Sequence, residues 1–265
     1  MADSMRKPRL TTLRLIHRAD EPVATLLLNR PERLNALSLD LLREIPLACR
    51  WLDETTAIKA VVVRGAGRAF SAGFDLNDFM TMDDTSPPTE SADLGRLATE
   101  ALTDVSPLTV GAVHGHCVGG GLLLAAACDL RIASDDARFS IPEVDLGIPL
   151  AWGGIPRMVR EFGPAITKEL VLTCRPFSAH EALSLRFLNR VVAGPDLVAA
   201  ADALAAELAS KPTFALQATK TQVNAIMNEI AGVGRNANDA HTLAVALRDP
   251  ESRAAGRAYL ASRTK

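Results

Sequence analysis

The stretch Val110-Gly-Ala-Val-His-Gly-His-Cys-Val-Gly-Gly-Gly-Leu-Leu-Leu-Ala-Ala-Ala-Cys-Asp129 constrains this chain more than any other. It opens as a short β-branched strand and breaks at Gly115. It then passes the consecutive glycines Gly119 to Gly121 and continues as an apolar helix from about Leu122 to Cys128. Glycine at a helix start loses more backbone freedom than alanine would, so local stability does not explain the run. What the run provides is bare backbone whose N–H groups have no carbonyl one turn earlier, with the positive end of the helix dipole behind them. The stretch is either a tight strand-to-helix turn or a place that holds negative charge on a ligand.

The phosphate-cradle patterns fail here. A Walker loop needs Lys and Ser/Thr after Gly120, where Gly121 and Leu122 stand. His116-Cys117-Val118 breaks the G-x-G-x-x-G spacing, and no G-x-S-x-G elbow is present. The ligand-directed use that remains is an oxyanion hole, in which backbone N–H groups stabilise charge developing on a substrate oxygen. A purely structural turn stays open beside it. A second run of small residues, Gly65-Ala-Gly-Arg-Ala-Phe-Ser-Ala-Gly-Phe-Asp-Leu76, offers the other donor that such a hole needs, at Ala72-Gly73-Phe74. Its bland reading is a tight loop over the sheet edge.

The 265 residues suit one large domain, or one with a smaller appendage. With 48% apolar residues a large core is expected, and a net charge of −2 argues against nucleic-acid binding. The basic clusters at Arg6-Lys7-Pro8-Arg9 and from Arg257 to Lys265 read as solvated termini. Cys49, Cys117, Cys128 and Cys174 are far apart, without C-x-x-C or paired His spacing, so reduced thiols are expected, with no disulfide framework and no metal site. No apolar run reaches the roughly 18–20 residues of a membrane span, and no signal core follows Asp3. A cytoplasmic protein is the expectation.

Taken in order, Leu10–His17 and Val23–Leu28 read as strands joined at Asp20-Glu21-Pro22. Ser38 reads as the N-cap of an amphipathic helix reaching about Asp53, with Pro46 inside it. Ala60–Arg64 is a short buried strand, Thr81–Ser91 a mobile surface loop, and Leu94–Val105 a helix leading into the central strand. Leu130–Ala133 is another strand, Arg138–Gly147 an extended piece ending in a loop, and Leu188–Val192 the last strand. Helices are expected over Pro164–Leu172, Ala179–Leu185, Asp196–Ala209 and Thr213–Glu229, with two more from Arg235 onward. The alternation predicts an α/β fold with parallel strands and a helical appendage. No sequence repeat is visible.

Five blocks together resemble the crotonase superfamily, the enoyl-CoA hydratase/isomerase family. They are Asn29-Arg-Pro-Glu-Arg-Leu-Asn-Ala-Leu37, Ala69-Phe-Ser-Ala-Gly-Phe-Asp-Leu76, His114-Gly-His-Cys-Val-Gly-Gly-Gly121, Cys128-Asp-Leu-Arg-Ile-Ala133 and Phe139-Ser-Ile-Pro-Glu-Val-Asp-Leu-Gly147. The resemblance covers essentially the whole chain. It implies a crotonase-like spiral of ββα repeats over residues 1–195 and a C-terminal helical trimerisation region over 196–265, assembled as a homotrimer or a hexamer (a dimer of trimers). It also implies an acyl-CoA substrate, with coenzyme A as part of that substrate and no other cofactor. The two N–H groups that hold the thioester oxygen fall on Phe74 and Gly120. Arg33, Ala69, Ala72, Asp75 and Leu76 fall where coenzyme A is usually contacted. Tyr259 and Arg263 fall where a neighbouring subunit's C-terminal helix reaches it.

Within that family, hydratases activate water with two glutamates. The first corresponds to Leu123, three residues after Gly120, and leucine cannot activate water. The second corresponds to Glu143, which is present. Leu123 with Glu143 looks like the Δ3,Δ2-enoyl-CoA isomerases, in which a single acid/base is enough, so isomerisation is expected ahead of hydration. A hydratase with an atypical second acid, Asp145 being the spare candidate, and a catalytically weak acyl-CoA-binding protein are the alternatives. Dienoyl-CoA isomerases carry an aspartate eight residues beyond the glutamate, where this chain has Ala151. His114 and His116 are expected to pack or hydrogen-bond beside the turn. A serine peptidase of similar spiral lacks its serine on the glycine turn, and RNA binding lacks a lysine-rich helix.

Overall fold

The inner strands are runs of β-branched and small apolar residues, and the strand period of two divides successive positions between two cores. The computed structural model describes residues 7–81, 88–232 and 238–263, with the side chains of 79–91 and 263 outside that description. Six strands form the main sheet in the order β1-β2-β3-β4-β6-β9. They are β1 (Leu13–Ile16), β2 (Val23–Leu28), β3 (Ala60–Gly65), β4 (Leu108–Val113), β6 (Leu130–Ser134) and β9 (Arg190–Val192). β1 and β2 form the antiparallel hairpin, and every later neighbour is parallel, with Val62 beside Val110 and Ala112 beside Ile132.

Between these strands lie the shorter pieces β5 (His116–Val118), β7 (Arg138–Ser140) and β8 (Phe177–Ser178), which form a second sheet in the order β5-β7-β8. Isolated bridges extend it, Ser71 to Cys117 and Leu37 to Phe74. Successive turns of chain therefore place one strand in the large sheet and one short strand in the small one before a helix. β4–β5–α4 and β6–β7–α5 are the clearest examples, α4 being Gly120–Ala126 and α5 Gly154–Thr173. That is the ββα spiral the resemblance implies, a repetition of structure without repetition of sequence.

The remaining helices are α1 (Leu39–Glu54), α2 (Leu76–Thr81), α3 (Pro88–Asp104), α6 (Ala179–Ser184), α7 (Leu197–Ala209), α8 (Thr213–Ala231), α9 (Asp239–Ala246) and α10 (Pro250–Arg263). Ser38 caps α1 by accepting from the Leu41 N–H. One core contains Val61, Val63 and Val113 with α1, α4 and the aromatic group Phe139, Phe177 and Phe187. The other contains Ala60, Val62, Val110, Ala112 and Ile132, covered by Leu197, Ala201, Leu204 and Ala205 of α7. α7 thus forms a layer of the sheet domain, although residue 196 was the expected start of a separate helical region. Lys220 of α8 is buried against Asp129, 2.9 Å away, and donates to the Pro107 carbonyl, which ties the later helices to the end of α4.

Several boundaries differ from expectation for local reasons. α5 begins ten residues before Pro164, because two helical halves join across Gly163 at φ 73° and Pro164 starts only the second half. β5 and β8 were not expected, being only three and two residues long. Of the expected loop from Thr81 to Ser91, residues 82–87 lie outside the described residues, and α3 already begins at Pro88. The four cysteines are buried free thiols. No described helix is long and apolar enough to cross a membrane.

Candidate active site

The site begins with Asn35, which fastens the loop after β3. Its side chain donates to the carbonyls of Ala66 and Ala69, both at 2.8 Å, and accepts from the Arg30 N–H. Ser71 Oγ donates to the Asn35 carbonyl, and the Ser71 backbone pairs with His116 and Val118. Gly73 follows in a left-handed conformation at φ 89°, where a side chain would meet the Val118 carbonyl at 2.7 Å. That same Cβ position is 3.8 Å from the Gly120 nitrogen, so the Ser71–Phe74 loop runs in close approach to the start of α4. Gly120 is the first residue of α4, so its N–H has no helical acceptor. Among the described residues, neither the Phe74 nor the Gly120 N–H donates to a backbone carbonyl. Phe74 and Gly120 line one cavity.

Glu143 arrives from the other side, after β7 and Pro142. Gly119, at φ 49°, donates its N–H to the Ser140 carbonyl, and any side chain on it would collide with Glu143 Oε1. Glu143 Oε2 is sealed from solvent and has no hydrogen-bond partner, although the residue as a whole is only half-buried. Burial pushes this carboxyl up to about 7, against a weaker opposing pull from its own backbone N–H.

Two cavities meet at this carboxyl. The outer one, about 250 Å³, is lined by Leu34, Ala72, Leu76, Gly119 and Tyr259. The inner one, about 50 Å³, is lined by Gly120, Leu123, Trp152 and Leu243. Phe74, Glu143 and Ile148 belong to both, and Glu143 is the only carboxylate on either lining among the described residues. A carboxyl of near-neutral pKa between apolar walls, with backbone N–H groups on the same lining, is an arrangement that can serve proton transfer beside a carbonyl.

The structure thus brings together Phe74, Gly120, Leu123, Glu143, Ala72, Leu76 and Tyr259. Arg33 is exposed and lines neither cavity. Ala69 is buried in the core with its carbonyl held by Asn35. Asp75 is also buried, paired with Arg30 at 2.8 Å and capping the Asn77 N–H, so its carboxylate is committed to structure. Asp145 is exposed and lines neither cavity. His114 pairs with the Gly67 carbonyl, as expected, while His116 is exposed and lines the outer cavity.

Tyr259, expected where a neighbouring subunit's C-terminal helix reaches coenzyme A, lines the outer cavity of its own chain. The reason is that α9 and α10 fold back over residues 146–153. Asp239 accepts from the Gly153 N–H at 2.7 Å, and the backbone of Ser252 lies against Gly147. The side chain of Arg263 lies outside the described residues.

Sequence reasoning missed Asn35 as the scaffold and Trp152, Ile148 and Leu243 as walls. A lone tryptophan before two glycines, in Ala151-Trp-Gly-Gly154, is the signal for the first wall. Nothing local marks Leu243, which comes from α9.

The model of the family described as "Enoyl-CoA hydratase/isomerase" matches residues 18–262. The short-chain-enoyl-CoA hydratase of Clostridium acetobutylicum is 34% identical over 203 residues, 76% of this chain and 77% of that protein. The peroxisomal Delta(3,5)-Delta(2,4)-dienoyl-CoA isomerase of Arabidopsis thaliana is 38% identical over 194 residues, covering 68% and 69%. The crystal structure of an enoyl-CoA hydratase/isomerase from Mycobacterium paratuberculosis superposes with a TM-score of 0.85 at 28% identity, covering 94% of this chain and 98% of that one. The chain belongs to the enoyl-CoA hydratase/isomerase family of the crotonase superfamily.

Proposed function

We propose that the protein is a Δ3,Δ2-enoyl-CoA isomerase with Glu143 as its single acid/base. The observation that carries this reading is the sealed, unpartnered Oε2 of Glu143, the one carboxylate among the described residues on the linings of the two cavities, which shares the inner lining with Leu123 where water activation needs a second acid. Glu143 takes a proton from C2 of a 3-enoyl-CoA, and the electron pair moves onto the thioester oxygen as a dienolate. The Phe74 and Gly120 N–H groups receive that charge, and losing one such donor costs about 10²–10³ in rate. The proton returns at C4, and the double bond has moved from C3–C4 to C2–C3. Leu123 keeps water away from the intermediate and helps hold the carboxyl pKa near neutrality.

The coenzyme A moiety occupies the outer cavity beside Ala72, Leu76 and Tyr259, and the reaction needs no further cofactor. Val223, Ile226 and Ile230 are exposed along one side of α8, which supports the trimer or dimer of trimers that the family resemblance implies.

The test is ultraviolet absorbance of the conjugated thioester with purified protein, on a 3-enoyl-CoA and a 2-enoyl-CoA separately. Rising absorbance with the first alone is expected. Falling absorbance with the second would make the protein a hydratase, a class that includes the Clostridium relative. The placement of Asp145 offers no second acid for that reaction. Tight acyl-CoA binding without change in either assay would leave a binding protein.

A further inference from the structure

We infer that Trp152 is the acyl-chain stop of this site and restricts the substrate to acyl groups of about four to six carbons. The inference rests on the proposed function: with coenzyme A in the outer cavity and the thioester carbon beside Glu143, the inner cavity is the space left for the acyl chain. That cavity measures about 50 Å³, and a water-sized group takes roughly 10–15 Å³, which leaves room for roughly three to five carbons beyond the thioester carbonyl.

Trp152 is built into this position rather than draped over it. Its backbone sits at φ 62°, a left-handed conformation that costs a bulky residue about 1–2 kcal/mol. Two glycines make space for its ring. A Cβ on Gly95, inside α3, would overlap the indole, and a Cβ on Gly120 would come within 2.8 Å of its far edge. Glycine inside a helix costs about 1 kcal/mol against alanine, so α3 also gives up stability at the point where the ring lies against it. The indole meets Phe74 edge-on, with ring centroids 5.7 Å apart. The turn carrying it is pinned by the hydrogen bond from the Gly153 N–H to Asp239, and Leu243 of the same helix α9 completes the wall. The stop is therefore held from three directions, by α3, by the start of α4 and by the chain's own C-terminal helices. A longer acyl chain has to displace all of them.

The experiment measures affinity by calorimetry for butyryl-, hexanoyl-, octanoyl- and decanoyl-CoA, on wild type, Trp152→Ala and Trp152→Phe. Saturated esters neither isomerise nor take up water, so chain-length preference is read independently of the reaction. Wild type is expected to bind hexanoyl-CoA at least tenfold more tightly than decanoyl-CoA. Trp152→Ala should raise the decanoyl-to-hexanoyl affinity ratio at least tenfold, and Trp152→Phe by a smaller factor. If the alanine variant does not fold, Trp152→Leu replaces it. Equal wild-type affinity for hexanoyl- and decanoyl-CoA overturns the inference, as does an unchanged ratio in folded variants. A chain-length ratio as expected with no isomerase signal overturns only the reaction proposed above. Absence of binding at every length overturns both.

Discussion

Glu44 and Glu143 are buried glutamates handled in opposite ways. Glu44, on α1, accepts five hydrogen bonds at 2.7–3.0 Å, from the backbone and hydroxyl of Thr11, the backbone and hydroxyl of Thr12, and the Leu13 N–H. Burial alone would push its carboxyl up, but the bonds from Thr11 and Thr12 outweigh that and hold it below the ordinary value. Glu143 has no such compensation. Its Oε2 has no partner, so desolvation wins and the carboxyl rises to about 7. Burial by itself therefore does not make a base. A carboxylate becomes one when the fold hides it and withholds hydrogen bonds, whereas the same group given five donors becomes a fastener between a strand and a helix.

The largest effect expected from breaking this contrast is on rate. Glu143→Gln keeps the shape and removes the base, and turnover of 3-enoyl-CoA should fall by about 10³-fold or more with the fold intact. Activity within tenfold of wild type would remove Glu143 from the mechanism. The counterpart, Glu44→Ala, should leave turnover per folded molecule unchanged and cost about 2–4 kcal/mol in a urea titration. The cost arises because the Thr11, Thr12 and Leu13 N–H groups lose their acceptor. A wild-type midpoint would mean that the latch carries no stability.

pH sharpens the same contrast. The lowered carboxyl of Glu44 contributes stability that is present above the ordinary value of 4.5 and is lost as pH falls through its folded pKa. The raised carboxyl of Glu143 has the opposite sign. The folded state keeps that proton longer than the unfolded chain does, so stability declines as pH rises from 4.5 to about 7. Urea stability of Glu143→Gln minus that of wild type should therefore grow by about 1–3 kcal/mol between pH 4.5 and pH 8. A difference that stays flat contradicts a sealed carboxyl. The smallest effect is expected from Leu123→Glu, which places a second carboxylate on the inner cavity. The pH at half-maximal rate should move up by about one pH unit through like-charge repulsion, read from the acid limb of the rate profile. An unmoved limb would show that the two side chains do not sense each other.

Much of the scaffold was legible from residues adjacent in sequence. β-branched runs marked β2, β3, β4 and β6. Ser38 marked the start of α1, and the two glycine-rich runs marked the loops that carry Phe74 and Gly120. The family blocks added Glu143. Strands of two or three residues carry no periodic signal, so β5 and β8 stayed hidden. The crowding of glycine and proline from Gly147 to Pro156 concealed the first half of α5.

The sequence by itself determined the alternation of strands and helices, the glycine-rich turns and the presence of Glu143 with Leu123 in the family blocks, because each is written in neighbouring residues. Only the tertiary structure decided that Glu143 Oε2 has no partner, that Asp75 is spent on Arg30, that Tyr259 lines its own chain's outer cavity and that Trp152 lines the inner one. Those properties depend on desolvation and free volume. Both are set where atoms of α3 and α4 meet α9 in space, although α9 lies more than a hundred residues from either along the chain.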